Sequence, residues 1–174
     1  MIRSALMNVM TSAAVKAGRG LKRDFGEVEN LQVSVKGPGD FVTAADKRAE
    51  KTLVEELSRA RPGYGFLLEE GGAIEGSDKS HTWHIDPLDG TSNFLHGIPI
   101  FAVSIGLERD GELVAGLVYN PATDDMFIAE KGQGAYFNNR RMRVAARKSL
   151  AESMVACGIP PLARLQDHAR FKSE

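Results

Sequence analysis

The chain has 174 residues, 43% of them hydrophobic, and its 22 basic and 23 acidic residues give a formal net charge of −1. This balance gives no electrostatic case for nucleic acid or an anionic membrane as a partner, and the apolar content is sufficient for one globular domain. The single cysteine, Cys157, excludes an internal disulfide and a cysteine-only zinc site. It favours a reducing compartment, so we expect a cytoplasmic protein.

The N-terminal part predicts two helices separated by a strand. The first twenty or so residues predict an amphipathic helix that ends at Gly18 and Gly20, with an apolar run too short to span a bilayer. Residues 31–36 alternate like a strand, and residues 44–62 predict a second helix that stops at the Arg-Pro-Gly of 61–63. The expected apolar stripes are Ala5, Val9, Ala13 and Ala17 in the first helix and Ala45, Ala49, Leu53 and Leu57 in the second.

The middle and C-terminal parts predict mainly strands. Residues 64–70 and 81–86 are short apolar strands that end in acidic side chains, with a Gly/Ser-rich loop between them. From residue 100 to about residue 144 the pattern is a β-meander with hairpin turns, and residues 153–158 predict one more strand. A helical pattern then continues to residue 174 without a stop signal.

These elements predict an α+β fold in which two N-terminal helices pack on a largely antiparallel sheet. The alternative is a three-layer α/β domain of the dinucleotide-binding kind. It is disfavoured because no Gly-x-Gly-x-x-Gly follows a strand.

Several carboxylates stand at the predicted strand ends. Glu69 and Glu70 close one strand, Asp86 closes the next, and Asp89 follows three residues later. If the strands are neighbours, these like charges converge, which is costly unless a cation neutralises them. Oxygen ligands without His or Cys favour a hard ion such as Mg²⁺, with Mn²⁺ also possible.

The residues after Asp86 predict an anion site beside this cluster. Pro87 fixes the backbone so that both aspartates can point to one side and the Leu88 carbonyl can serve as a further ligand. A helix is expected to begin in the Gly-Thr-Ser-Asn-Phe of 90–94, and the free amides at its start would face an anion. A carboxylate metal cluster beside an anion site fits phosphate chemistry.

Each of these features also has a purely structural explanation. Asp89 with Gly90 can form a turn, and Ser92 or Asn93 can cap a helix. Residues 43–46, Thr-Ala-Ala-Asp, form a capping box with Asp46 in the usual Glu position, which from the residues alone is the favoured explanation of Asp46. Lys36 can equally end a strand at the surface.

The order of the motifs is more specific than any one of them. Residues 86–94, DPLDGTSNF, resemble the signature Asp-Pro-(Ile/Leu)-Asp-Gly-Thr-x-Asn-Phe of the inositol monophosphatase family, which are metal-dependent, lithium-sensitive sugar phosphatases. Lys36 with residues 40–46, the Glu-Glu of 69–70, and residues 99–106 and 131–135 also match the family pattern. The resemblance therefore covers nearly the whole chain.

The resemblance implies a set of metal ligands. Glu69, Asp86, the Leu88 carbonyl and Asp89 are implied to bind Mg²⁺, with Glu70 nearby as a ligand or a supporting carboxylate.

The resemblance also implies catalytic and phosphate-binding roles. Thr91, Asp46 and Glu69 are implied to be catalytic, with Thr91 holding and deprotonating the attacking water and Asp46 hydrogen-bonding Thr91. The phosphate is implied to bind the Gly90 and Thr91 amides together with Ser92 and, less directly, Lys36.

The implied function is hydrolysis of inositol monophosphate, a small phosphorylated polyol, by a homodimeric Mg²⁺-dependent phosphomonoesterase. Water bound to one ion would attack phosphorus in line, and a second ion at Asp86 and Asp89 would stabilise the leaving oxygen. Alternatives within the same chemistry are fructose 1,6-bisphosphatase, histidinol phosphatase and nucleotide 3′-phosphatase activities.

The chain departs from the family at its C-terminus. Family members continue into a second domain with a Trp-Asp-x-Ala-x-Gly-like motif, whereas the only Trp here is Trp83. We therefore expect residues 1–174 to be an N-terminal metal- and phosphate-binding domain of a longer protein. A non-catalytic, truncated binding module is the alternative from another functional class.

Overall fold

The computed structural model describes residues 4–27, 33–37 and 40–156, with side chains described for residues 4–27 and 43–156. The helices are α1 (Ala5–Phe25), α2 (Ala44–Ala60) and α3 (Thr91–Leu95), and a short 3-10 turn covers Leu150–Glu152. The strands are β1 (Val33–Gly37), β2 (Asp40–Thr43), β3 (Tyr64–Leu68), β4 (Gly72–Ile74), β5 (Asp78–Asp89), β6 (Ala102–Arg109), β7 (Glu112–Asn120), β8 (Asp125–Glu130), β9 (Gly134–Phe137) and β10 (Arg140–Arg141).

Most of the described strands belong to one mixed sheet with the order β10-β9-β8-β7-β6-β5-β3-β4, while β1 and β2 form a separate antiparallel pair. Within the described part of the large sheet, β3 and β5 pair in parallel, and the other six pairings are antiparallel. α1 packs on α2 and against β6 and β7, and α2 packs against β5 and β3. The predicted α+β class, with two helices on a largely antiparallel sheet, is confirmed.

Helix α1 is longer than its sequence pattern predicts. It begins after Ser4, whose side chain accepts a hydrogen bond from the Met7 amide at 3.0 Å, and it continues to Phe25. The predicted end at Gly18 and Gly20 is therefore wrong. A Cβ atom at position 18 would lie 2.7 Å from the ring of Tyr119, so Gly18 permits close packing of α1 on β7 instead of ending the helix.

The buried face of α1 differs in part from the predicted stripe. Ala13 and Ala17 are buried as expected, whereas Ala5 is exposed and Val9 is only half-buried. The rest of the buried apolar face consists of Met7, Met10, Ala14 and Leu21.

Helix α2 follows its sequence pattern closely. Thr43 caps it, with the hydroxyl accepting from the Ala45 amide at 3.0 Å, and it ends at Ala60, directly before the predicted stop. All four residues of the predicted stripe are buried: Ala45, Ala49, Leu53 and Leu57. Local signals and tertiary packing therefore agree along this helix.

Most predicted strands are present, and some boundaries differ. β1 confirms the strand expected at residues 31–36, although residues 31–32 lie outside the described residues. β4 lies in the predicted Gly/Ser-rich loop, and residues 153–156 form no strand. The final predicted helix, together with residues 157–158, lies outside the described residues.

The sheet face that α1 and α2 leave uncovered forms an open groove of about 1170 Å³. Leu67, Val118 and Phe127 line it and are about half exposed, at 48%, 41% and 41%. Glu69 and Asp86, two of the predicted metal ligands, also line the groove. Among the described residues, every helix is too short or too polar to span a membrane.

Candidate metal and phosphate site

The site is built around a β-bulge near the end of β5. In the pairing with β6, Asp86 lies opposite Ser104 but Asp89 lies opposite Ala102, so β5 contains one extra residue at this point. Leu88 is fully buried, although strict alternation from the buried Ile85 would direct it to the other face. The bulge therefore changes which face the side chains after Asp86 occupy.

Asp86 is a carboxyl whose pKa the surroundings raise. It is half-buried, and its Oδ1 accepts a hydrogen bond from the Leu88 amide at 3.0 Å. Burial raises the pKa of Asp86, and the negative charges of Asp89 and Asp46 raise it further. Hydrogen bonds with Glu69 and the Leu88 amide partly offset this increase in the pKa. A cation bound beside Asp86 would oppose both the burial and the charge repulsion that raise its pKa.

Glu69 and Glu70 follow β3 directly and are fixed through their backbone amides. The Glu69 amide donates to the Ile85 carbonyl of β5 at 3.1 Å, and the Glu70 amide donates to Glu50 Oε2 of α2 at 3.0 Å. The Glu69 side chain also hydrogen-bonds Asp86. The parallel pairing of β3 and β5 thus brings two of the predicted ligands together.

Asp46 makes two different sets of contacts. Its Oδ2 accepts from the Thr43 amide at 2.9 Å and also makes a short hydrogen bond with the Thr43 hydroxyl, which completes the capping box. Its Oδ1 lies 3.3 Å from the Thr91 hydroxyl, which also lies 3.0 Å from the Leu88 carbonyl. The capping role and the contact with Thr91 therefore coexist in one fully buried side chain.

The residues predicted to bind phosphate begin at a sharp turn. Gly90 has φ of +88° and precedes α3, and no side chain among the described residues caps this helix start. A Cβ atom at Gly90 would lie 2.9 Å from the Ile100 carbonyl, so the position requires glycine for both its conformation and the close approach of the backbone. Ser92 is exposed in α3. Lys36 lies in β1, and its side chain lies outside the described residues.

The oxygen-only donors fit a hard divalent cation in chemical type. Glu69, Asp86 and Asp89 supply carboxylates, and the Leu88 carbonyl adds a neutral oxygen, which is a donor set that Mg²⁺ and Mn²⁺ prefer. Within the described residues, no three acidic, His or Cys side chains are grouped closely enough to hold an ion as they stand. The charges of Asp89 and Asp46 therefore raise the pKa of Asp86 from a distance greater than that between ligands of one metal ion.

Sequence reasoning did not identify Glu50. This residue is buried on α2, one turn after Asp46, and it contacts the backbone that carries the predicted metal ligands. Its spacing of four from Asp46, which places both on one helix face, is the only signal that could have identified it.

Sequence comparisons identify the same family that the sequence motifs resemble. A model of the inositol monophosphatase family matches residues 3–168. An inositol-1-monophosphatase of Mesorhizobium japonicum is 63% identical over 174 residues, which are 100% of this chain and 65% of that relative. The Nus factor SuhB of Escherichia coli is 37% identical over 155 residues, which are 89% of this chain and 58% of that protein. The chain thus spans about 65% of the length of the first two curated relatives.

Solved structures agree with these matches. The crystal structure of the extragenic suppressor protein SuhB from Bartonella henselae has a TM-score of 0.81 and 62% identity, covering 83% of this chain and 56% of that chain. The IMPase of Thermotoga maritima has a TM-score of 0.77 and 35% identity, covering 84% of this chain and 56% of that chain. The family match, the relatives and the fold lead to one conclusion, that the chain belongs to the inositol monophosphatase family.

Proposed function

We propose that the protein is a Mg²⁺-dependent phosphomonoesterase that hydrolyses inositol monophosphate to inositol and phosphate. The observation that carries this proposal is the Thr91 hydroxyl, which lies between Asp46 Oδ1 and the Leu88 carbonyl, next to the carboxylate cluster at the end of β5. Family membership supports a phosphatase with a phosphorylated substrate, and proteins of this family are generally metal-dependent.

The metal would be held by Glu69, Asp86, the Leu88 carbonyl and Asp89, with Glu70 adjacent. We favour Mg²⁺, with Mn²⁺ as a substitute, because the donors are all oxygen. When bound, the ion supplies activation of water and stabilisation of the negative charge on the leaving oxygen. The catalytic contribution of Glu69 would be to help hold this ion. The burial and charge that raise the pKa of Asp86 are the features that a cation would relieve.

Thr91 and Asp46 would together take up the proton that the attacking water releases. The Thr91 oxygen would accept a hydrogen bond from the water while its own hydroxyl proton is donated to Asp46 Oδ1, which lies 3.3 Å away. Because Thr43 fixes Asp46 Oδ2 through two hydrogen bonds, Oδ1 remains oriented toward Thr91. This arrangement fits general base catalysis by a positioned carboxylate.

The phosphate would bind at the start of α3. The Gly90 and Thr91 amides, together with Ser92, are placed there, and the absence of a capping side chain among the described residues supports a role in holding an anion. The family resemblance adds Lys36 to the phosphate-binding residues of this proposal. Substrate positioning and charge neutralisation then supply most of the rate enhancement, so no covalent nucleophile is needed.

A Thr91→Val variant tests this proposal. Phosphate release from inositol 1-phosphate by the 174-residue chain with Mg²⁺ should fall about 100-fold or more in Thr91→Val, since general base catalysis typically contributes factors of about 10² to 10⁴. Asp89→Asn should lose activity through weaker metal binding.

Thr52→Val is the matched control, because Thr52 is also a helical threonine and its hydroxyl donates only to the Arg48 carbonyl of its own helix. It should keep the wild-type rate. The proposal is wrong for this chain if the wild type releases no phosphate, or if Thr91→Val and Thr52→Val are equally active.

The remaining expectations belong to the same proposal. We propose inhibition by lithium, a homodimer and a cytoplasmic location, with the single Cys157 favouring a reducing compartment. The apolar groove on the uncovered sheet face supports association with another protein surface. Sedimentation velocity and phosphate release at increasing LiCl concentrations test the first two.

A further inference from the structure

A buried carboxylate of α2 holds the backbone that carries the predicted metal ligands. Glu50 is 9% exposed, and its Oε2 accepts the Glu70 amide proton at 3.0 Å. A Cβ atom at Gly71 would lie 3.0 Å from Glu50 Oε1, so the backbone at residue 71 packs directly against the same carboxylate. The contact therefore covers two consecutive residues after β3.

This contact joins two parts of the site that are distant in sequence. The Glu69 amide is bound to β5 through the Ile85 carbonyl, and the next amide, that of Glu70, is bound to α2 through Glu50. Asp46 lies one turn before Glu50 on the same helix. Two successive amides thus fix the end of β3 relative to both the strand of Asp86 and the helix of Asp46.

Packing alone does not account for a carboxylate at position 50. Burying a carboxylate is costly unless its oxygens accept hydrogen bonds. An apolar side chain would avoid the cost but would give the Glu70 amide no acceptor. Charge-assisted hydrogen bonds are stronger than neutral ones, so Glu50 restrains this backbone more firmly than a neutral acceptor would.

We infer that Glu50 is a positioning residue for the metal site, acting through the Glu70 amide to fix the Glu69 carboxylate beside Asp86. The inference rests on the proposed function. It makes Glu50 neither a ligand nor a group that contacts substrate.

The test compares Glu50→Met with Glu50→Gln in the 174-residue chain. Met has a similar length and helix propensity but no strong acceptor, whereas Gln keeps an acceptor oxygen. Glu55→Met is the matched control, since Glu55 is exposed on the same helix. Two readouts are needed: hydrogen exchange of the Glu70 amide by NMR, and Mn²⁺ affinity by titration calorimetry.

In Glu50→Met the Glu70 amide should lose its protection, and the Kd for Mn²⁺ should rise about 10-fold, at the lower end of the effect of residues that support metal ligands. Glu50→Gln should keep most of the Glu70 amide protection and most of the Mn²⁺ affinity. Glu55→Met should change neither the protection nor the affinity. Unchanged Mn²⁺ affinity in Glu50→Met, in a wild type that binds Mn²⁺, overturns only the role of Glu50. A wild type that binds no Mn²⁺ overturns the proposed function and this inference together. Should Glu50→Met fail to fold, a Glu50→Gln variant that loses both properties contradicts the inference.

Discussion

Alkaline pH should weaken the fold through Tyr119. Its hydroxyl donates to Asp124 Oδ1 at 2.9 Å, and burial, together with this bond, raises its pKa from 10.0 to about 12. Because the folded chain favours the neutral phenol, the contribution of Tyr119 is fully present below about pH 10 and is lost as the pH rises through about 12. A pKa difference of two corresponds to about 2.7 kcal/mol, of which about 1.4 kcal/mol is lost by about pH 11.

The assay is urea unfolding, followed by circular dichroism, of the wild type and Tyr119→Phe at about pH 8 and pH 11. The variant removes the hydroxyl and keeps the ring that packs on Gly18. The stability difference between the two proteins should shrink by about 1.4 kcal/mol between these pH values, while the effects of other titrating groups cancel. A difference that stays constant would refute the reasoning.

Three further predictions concern the core, the turn and the metal cluster. Leu53→Ala should lower the free energy of unfolding by about 3–5 kcal/mol, because Leu53 is fully buried. Val144→Ala, at a position that is 98% exposed, should change it by less than about 0.5 kcal/mol. Urea unfolding followed by the fluorescence of Trp83 measures both values. Gly97→Ala should lower the free energy of unfolding by roughly 1–2 kcal/mol, because Gly97 has a positive φ. Gly90→Ala should lower it further, because Gly90 also has a positive φ and its added Cβ atom would meet the Ile100 carbonyl. Equal losses in the two variants would contradict the close approach at Gly90. Asp86→Asn should be more stable than the metal-free wild type at neutral pH, because the raised pKa of Asp86 makes the wild type lose stability as the pH rises through the pKa of the folded state. Mg²⁺ should raise the melting temperature of the wild type only. A rise in the melting temperature of Asp86→Asn with Mg²⁺ would count against the metal site.

The elements that could be predicted from sequence are those in which local signals and packing agree. α2 has a cap, an apolar stripe and a stop, and each is present in the fold. The cap role of Asp46 was also visible locally. Its contact with Thr91 spans 45 residues, so only the family resemblance could suggest it.

The elements that could not be predicted are those that tertiary contacts decide. Gly18 looked like a helix end, yet the ring of Tyr119 makes a small residue necessary within α1. β4 is three exposed residues paired with β3, too short for a periodic pattern. Glu50 resembles any solvent-facing glutamate in sequence, because its burial depends on the position of the end of β3.

The bulge in β5 makes the site sensitive to chain length. In a regular strand, side chains three residues apart point to opposite faces, and the extra residue before Asp89 breaks that rule. Deleting one residue between Asp86 and Asp89 would restore regular pairing and rotate the start of α3 relative to the cluster. Replacing Leu88 with another apolar residue would keep both the backbone path and the carbonyl. We therefore expect the protein to tolerate apolar exchanges at Leu88 far better than an insertion or a deletion between Asp86 and Asp89.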